Sequence, residues 1–281
     1  MTTYTERPWL SLYRAGSPAD ITTEHATMLE VFAASVGRSP DAPAVRYFDG
    51  VLTFADLDAR SDALAVALAE RGFTAGDRLA VYTQNNPAFV VGYLAAWKAG
   101  GTAVAVNPMN KQRELGYLLA DSGATALLCL EELYETVAKE VIAGGETRVR
   151  TVVTCSALDD QTRNDERLFS GVERSRPAGT LDLQDLLAEY GGRAPAPAAP
   201  KGDDIAVLTY TSGTTGVPKG AMNTHANMAF NSQTYRDWMD LGPDDCILGV
   251  APLFHITGLI GHVGVSLLVG CPLDAGCDLH S

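Results

Sequence analysis

No two cysteines in this chain stand in a Cys-x-x-Cys pair; Cys129, Cys155, Cys246, Cys271 and Cys277 are scattered. That spacing argues against a zinc site and fits reduced thiols in a cytoplasmic protein. Basic residues are scarce as well, 21 Lys and Arg against 34 Asp and Glu, giving a formal net charge of −13. Neither nucleic acid nor an anionic membrane attracts a polyanion, so neither is expected as the main partner. Long apolar runs are missing. Residues 1–20 carry charges and prolines without the apolar core of a signal peptide. The most apolar stretch, Gly258 to Leu268, is too short to span a bilayer and contains His262. It is expected as a buried helix, and no transmembrane segment is expected anywhere.

What is present suits a globular α/β protein. The chain has 281 residues, 46% of them hydrophobic and 20% charged, enough for a large core or two lobes. Strand and helix patterns alternate, which predicts mainly parallel sheets with helices on both faces. A helix is expected after Thr53, with Asp56 completing a weak capping box, up to Arg71 with Gly72 as its stop. Strands are expected over Arg78 to Thr83, Thr102 to Val106, Ala124 to Leu130 and Val149 to Thr154, with helices over Pro87 to Ala99, Gln112 to Asp121 and Glu131 to Ile142. From about Ser156 to Thr180 charged, turn-forming residues predict a surface excursion. A short amphipathic helix follows over Asp182 to Tyr190. The tract from Gly191 to Pro200 has a linker's composition and is the one low-complexity segment. The expected organisation is therefore a first α/β sub-domain over 1–190, a linker over 191–202 and the start of a second sub-domain over 203–281.

The densest chemistry lies in Tyr210-Thr211-Ser212-Gly213-Thr214-Thr215-Gly216-Val217-Pro218-Lys219-Gly220-Ala221-Met222. It follows an apolar strand, Ile205 to Tyr210, and precedes a helix expected to run from an N-cap at Thr224 to about Met239. Hydroxyls, glycine-freed amides and one lysine converge on a small volume, which suits a polyphosphate. The spacing is not that of the common P-loop, because Lys219 lies between Pro218 and Gly220. Ordinary turn chemistry is the other reading of such a loop.

A second candidate is Pro252-Leu253-Phe254-His255-Ile256-Thr257-Gly258-Leu259, expected to follow a strand over Cys246 to Ala251, where ligands of open α/β sheets gather. A histidine in an apolar run is more often a satisfied core residue, so His255 gains weight only from the phosphate-type loop upstream. His262, seven residues on, is expected in core packing, since no third metal ligand accompanies it. His225, beside the N-cap, is expected either near a phosphate or in solvent. The pairs Glu131-Glu132 and Asp159-Asp160 are expected on a solvated face.

The loop resembles the phosphate loop of the adenylate-forming superfamily, (Tyr)-Thr-Ser-Gly-(Ser/Thr)-Thr-Gly-x-Pro-Lys-Gly, at every position. Leu52 to Leu57 and Trp97 to Pro108 are similar to two further segments of that family, with Ala105 where proline is common there, and Phe254-His255-Ile256-Thr257-Gly258 resembles its aromatic-His-x-x-Gly segment. The resemblance implies ATP-dependent activation of a carboxylic acid to an acyl-adenylate, then transfer to CoA as a thioester. It implies that Thr211, Ser212, Gly213, Thr214, Thr215 and Gly216 grip phosphates, that Lys219 offsets charge as pyrophosphate leaves, and that Phe254, His255 and Gly258 shape the carboxylate pocket. His255 and Lys219 are the catalytic candidates. Arg7 to Tyr13 is similar to the opening of bacterial long-chain fatty acyl-CoA synthetases, which tilts the acid toward a fatty acid. The family's later Tyr-Gly-x-Thr-Glu segment, whose glutamate holds Mg2+, its ribose-binding Asp and its C-terminal lid have no counterpart in these residues. The chain is accordingly expected to be incomplete for catalysis, with self-association through an unpaired sheet edge, and a non-catalytic binding fragment or a subunit completed by another chain is the alternative.

Overall fold

The structure, a computed structural model, describes residues 4–162, 169–211 and 216–276. Two sheets organise it. The larger has the order β7-β6-β5-β3-β4-β8-β9, built from β3 (Arg78–Tyr82), β4 (Thr102–Ala105), β5 (Ala126–Leu130), β6 (Thr151–Cys155), β7 (Leu181–Asp182), β8 (Ile205–Thr211) and β9 (Lys219–Thr224). All neighbours are parallel except β8 and β9, which form an antiparallel hairpin. Successive strand residues point to opposite faces, so Leu79 and Val81 enter one core while Ala80 and Tyr82 enter the other. Helices cover both faces, as a sheet of fully buried strands requires.

On the first face pack α2 (Phe54–Glu70) and α3 (Pro87–Lys98). The capping box of α2 forms as the sequence predicts, with Asp56 N–H donating to Thr53 Oγ1 at 3.1 Å and Thr53 N–H donating to Asp56 Oδ2 at 2.9 Å. On the second face lies α4 (Gln112–Ser122), closed by Gly123 at φ 62°. Beside it α5 opens as Glu131–Leu133, widens to a π-type stretch over Tyr134–Ala138 and ends as Lys139–Ala143. A shorter helix, α6 (Leu183–Tyr190), lies against α2. The chain thus leaves β3 and β4 toward opposite faces, which opens a crevice at the carboxyl ends of these strands.

Three elements were not legible in the sequence. The first is α1 (Met28–Arg38), capped by Thr27 and tied to the end of a later helix through Ser35 Oγ donating to Leu267 O at 2.6 Å and Arg38 Nη2 donating to Val269 O at 2.8 Å. The second is a small sheet of order β10-β11-β1-β2, from β1 (Pro43–Tyr47), β2 (Gly50–Thr53), β10 (Ile247–Leu248) and β11 (Leu273–Asp274). The strand expected over Cys246 to Ala251 shrinks to β10 and belongs to this sheet. The third is β9, whose composition suggests a loop but which pairs with β8 from Val207 opposite Asn223 to Thr211 opposite Lys219, with a bulge near Ile205.

The segment 191–202 has no regular secondary structure, yet no sheet boundary falls there: β8 pairs with β4, Ala103 opposite Val207. Trp97 Nε1 donates to Ala206 O at 2.8 Å and Thr102 Oγ1 to Ile205 O at 2.8 Å, fastening β8 to the unit before it. The excursion after β6 is likewise pinned. Asp159 accepts from Ser156 N–H at 2.9 Å and pairs with Arg174, Asp160 pairs with Arg60, and Glu131 accepts from Ser175 N–H at 2.9 Å. Glu131 is buried, and burial raises the Asp159 carboxyl. Three of these four carboxylates therefore anchor a loop instead of lying on a solvated face; Glu132 is exposed.

His225 opens α7 (His225–Met239) and corrects both expectations for it. Its side chain is 1% exposed, its ring meets Trp97 edge-on at 5.5 Å, and Nδ1 accepts from Met28 N–H at 3.4 Å. Burial pushes its pKa down to about 4. The folded state therefore binds a proton less readily than the unfolded chain, and stability is retained above pH 6.5 and lost as pH falls toward 4. The full loss is on the order of 3 kcal/mol for a shift of this size. Urea unfolding at pH 7 and pH 4 is expected to show about that much more acid destabilisation in the native chain than in His225→Asn; equal slopes would remove His225 as the titrating group. Among the described residues no helix is long and apolar enough to cross a membrane.

Candidate active site

The carboxyl ends of β4 and β8 lie side by side, and a cavity of about 370 Å3 opens there. Ala105 and Asn107 come from the end of β4, Asn110, Glu114 and Tyr117 from the approach to α4 and its first turns, and Thr209, Tyr210 and Thr211 from β8. Pro218 arrives from the returning arm of the hairpin, and Phe254, His255 and Ile256 close the far side. The two segments singled out in the sequence thus line one cavity, although more than thirty residues separate Pro218 from Phe254.

Hydrogen bonds fix each wall. Tyr117 Oη donates to Pro218 O at 2.9 Å, so α4 holds the returning arm. Tyr210 Oη donates to Asp121 Oδ2 at 2.7 Å, and burial together with that carboxylate raises its phenol above the ordinary value. Tyr82 Oη donates to Asn110 O at 2.6 Å, and burial pushes its phenol up to about 12. Both phenols therefore stay protonated donors at neutral pH.

The Phe254-His255 segment is held by Asn85, just past β3. Asn85 Nδ2 donates to Gly249 O at 3.0 Å and to Ala251 O at 3.2 Å, while Oδ1 accepts from Leu253 N–H at 2.8 Å. One carboxamide thereby satisfies three backbone groups of an irregular stretch. The final helix, α8, begins as Ile256–Gly258, passes through a π-type stretch over Leu259–Gly264 and ends as Val265–Val269, largely buried as expected. His255 is its N-cap, exposed, with Nδ1 accepting from Thr257 N–H at 3.3 Å. His262 Nε2 accepts from Ala251 N–H at 3.2 Å, so this half-buried histidine supports the same segment from behind, and burial lowers its pKa.

The predicted site residues divide into groups. Thr211, Phe254 and His255 line the cavity. Gly258 does not; a Cβ there would stand 2.2 Å from Pro252 O, so glycine is needed for the turn to fold back on itself. Lys219 is exposed at the start of β9, and Gly216 is exposed in the bend before it. Ser212, Gly213, Thr214 and Thr215 lie outside the described residues. Asn85, Asn107, Asn110, Glu114 and Tyr117 were missed as site residues. A signal existed for Asn85: Asn85-Asn86-Pro87 offers two carboxamides at a helix start, where one suffices as N-cap, and Asn86 takes that role.

Among the described residues no group of three or more His, Cys, Asp or Glu side chains is placed to hold a metal ion, so no step is assigned to Mg2+. The cavity combines hydroxyl and carboxamide donors with apolar rings, the composition of a site for an organic ligand with polar handles.

Asn85→Ala removes the three bonds to the segment and leaves Leu253 N–H, on a fully buried residue, without its partner. It is expected to cost about 1–3 kcal/mol in urea unfolding and to expose 249–255 to limited proteolysis. Native-like stability and an uncut segment would show that Asn85 does not hold this wall.

Comparison with known proteins places the chain in a family. The family model described as AMP-binding enzyme matches residues 32–274. A long-chain-fatty-acid–CoA ligase of Bacillus subtilis is 30% identical over 275 residues, 94% of this chain and 49% of the relative. A feruloyl-CoA synthase of Amycolatopsis is 37% identical over 222 residues, 79% of this chain and 38% of the relative. The crystal structure of ATP-bound MatB from Rhodopseudomonas palustris superposes with a TM-score of 0.71 at 28% identity, covering 90% of this chain and 46% of that one. The chain therefore spans about half the length of these relatives or less. By the match of its residues 32–274, most of the chain, it belongs to the AMP-binding enzyme family.

Proposed function

We propose that this chain supplies the phosphate-gripping and carboxylate-facing walls for ATP-dependent activation of a carboxylic acid, followed by transfer of the acyl group to CoA. The observation that carries the reading is the single cavity lined by both the β8–β9 hairpin and the Phe254-His255 segment. The ATP-bound state of the Rhodopseudomonas palustris relative supports a nucleotide as ligand.

In the first step a substrate carboxylate oxygen attacks the α-phosphorus of ATP, the bond to the β-phosphate bridging oxygen breaks, and pyrophosphate leaves. In the second, the thiol sulfur attacks the acyl carbon, AMP departs and the thiol proton passes to solvent. The substrate carboxylate is the nucleophile, so no protein nucleophile is needed. Positioning and charge stabilisation carry such chemistry. Thr211, Ser212, Gly213, Thr214, Thr215 and Gly216 are assigned to the β- and γ-phosphates. Lys219, opposite Thr211 at the loop end of the hairpin, is assigned to the charge that develops on pyrophosphate. His255 and Phe254 are assigned to the carboxylate. The fatty-acid relative, together with Arg7 to Tyr13, supports an aliphatic acid, and the feruloyl relative supports an aryl one.

Titration calorimetry with Mg-ATP, paired with an assay of pyrophosphate release, tests this reading. Lys219→Ala removes one charge-assisted contact, worth about 1.5–3 kcal/mol, and is expected to weaken ATP binding by roughly 10- to 100-fold. An unchanged Kd would strip Lys219 of its role. Binding without pyrophosphate release would favour a non-catalytic binding role or a subunit completed by another chain.

A further inference from the structure

A second groove, of about 180 Å3, lies between α7 and the start of α8. It touches the first cavity at two points. Ile256 lines both, and Asn223, at the groove, donates from Nδ2 to Oγ1 of Thr209, in the cavity wall, at 3.0 Å. A carboxylate held beside His255 therefore has the groove as the neighbouring space for the rest of its acyl group, in line with the carboxylate-activation reading on which this inference rests.

The two walls of the groove differ. The α8 side presents Ile256 and Ile260, whereas Asn227, Asn231 and Tyr235 stand along α7 four residues apart, on one helical face. Their hydrogen bonds among the described residues leave capacity over. Asn227 Oδ1 accepts from Thr224 N–H at 3.2 Å, which commits the oxygen and leaves the amide hydrogens. Asn231 Nδ2 donates to Asn227 O at 2.8 Å, which leaves its Oδ1 as an acceptor on a residue that lines the groove.

We propose that the groove selects an acid whose acyl group carries hydroxyl or ether oxygens, in preference to a plain hydrocarbon chain. A saturated chain laid in it would cover these two solvent-facing carboxamides and return no hydrogen bond for the water contacts it displaces. An oxygenated acyl group replaces those water contacts, and its carbon frame still meets Ile256 and Ile260. Sites built around polar groups reject the analogue that lacks the partner more strongly than apolar pockets reject an added hydroxyl.

The test uses the 281-residue chain with ATP present and two matched pairs of acids: octanoate against 8-hydroxyoctanoate, and cinnamate against 4-hydroxycinnamate. Calorimetry is expected to give at least about fivefold tighter binding for the hydroxylated member of one pair, the magnitude of one net hydrogen bond. Asn231→Leu is expected to cut that ratio below about two while octanoate binds as well or better. Circular dichroism melting checks that the variant folds; if it does not, Asn231→Ser is used in its place. Equal binding within both pairs, or a ratio untouched by a folded Asn231 variant, overturns this proposal alone. Binding of ATP with no binding of any acid overturns the carboxylate-activation reading and this proposal with it.

Discussion

Parallel pairing of β4 with β8 is the contact on which the site depends. The two strands lie about a hundred residues apart in sequence; the backbone ladder and the Thr102 hydroxyl on Ile205 O join them directly, and the Trp97 indole of α3 holds β8 through Ala206 O. Because strands in this sheet end at a common edge, pairing them, Ala105 opposite Thr209, brings Asn107 and Thr211 to one cavity and carries the hairpin over that edge. Trp97 is wholly buried and also faces His225, so the residue that fixes β8 also fixes the start of α7. Hairpin, helix and cavity wall are therefore one mechanical unit.

The second organising feature is the use of carboxamides where regular structure runs out. The chain from β10 to α8 has few ladder bonds of its own, and buried backbone groups without partners are costly. Asn85 supplies three of the missing partners from the end of β3, and His262 supplies a fourth from within α8. His255 is thereby set at a cavity edge without standing at a strand end. Its position depends on side chains of another element, which distinguishes this wall from the hairpin wall.

Much of the frame was legible because its signals are local. Strands β3 to β6 are short apolar runs between polar boundaries, and α2, α3 and α4 carry their own caps or stops. The phosphate-type loop and the Phe254-His255 segment were legible as separate motifs; their meeting in one cavity was not, since only tertiary pairing creates it. His225 escaped for the same reason, its partner Trp97 lying 128 residues upstream. Glu131 and Asp159 looked solvated because their partners, Ser175 N–H and Arg174, sit in a stretch that reads as surface loop. β9 was hidden by glycine, lysine and asparagine, which are poor strand formers, and its pairing with β8 overrides that local preference.

The β8–β9 hairpin and the Phe254-His255 segment line one cavity and are proposed as two walls of one nucleotide site. Hydrogen–deuterium exchange on the intact chain, with and without Mg-ATP, tests it directly. Slower exchange is expected on nucleotide addition in both 207–222 and 249–258, with 131–143 on α5 unchanged. Protection of only one of the two segments, or of neither while ATP binds elsewhere, would contradict it.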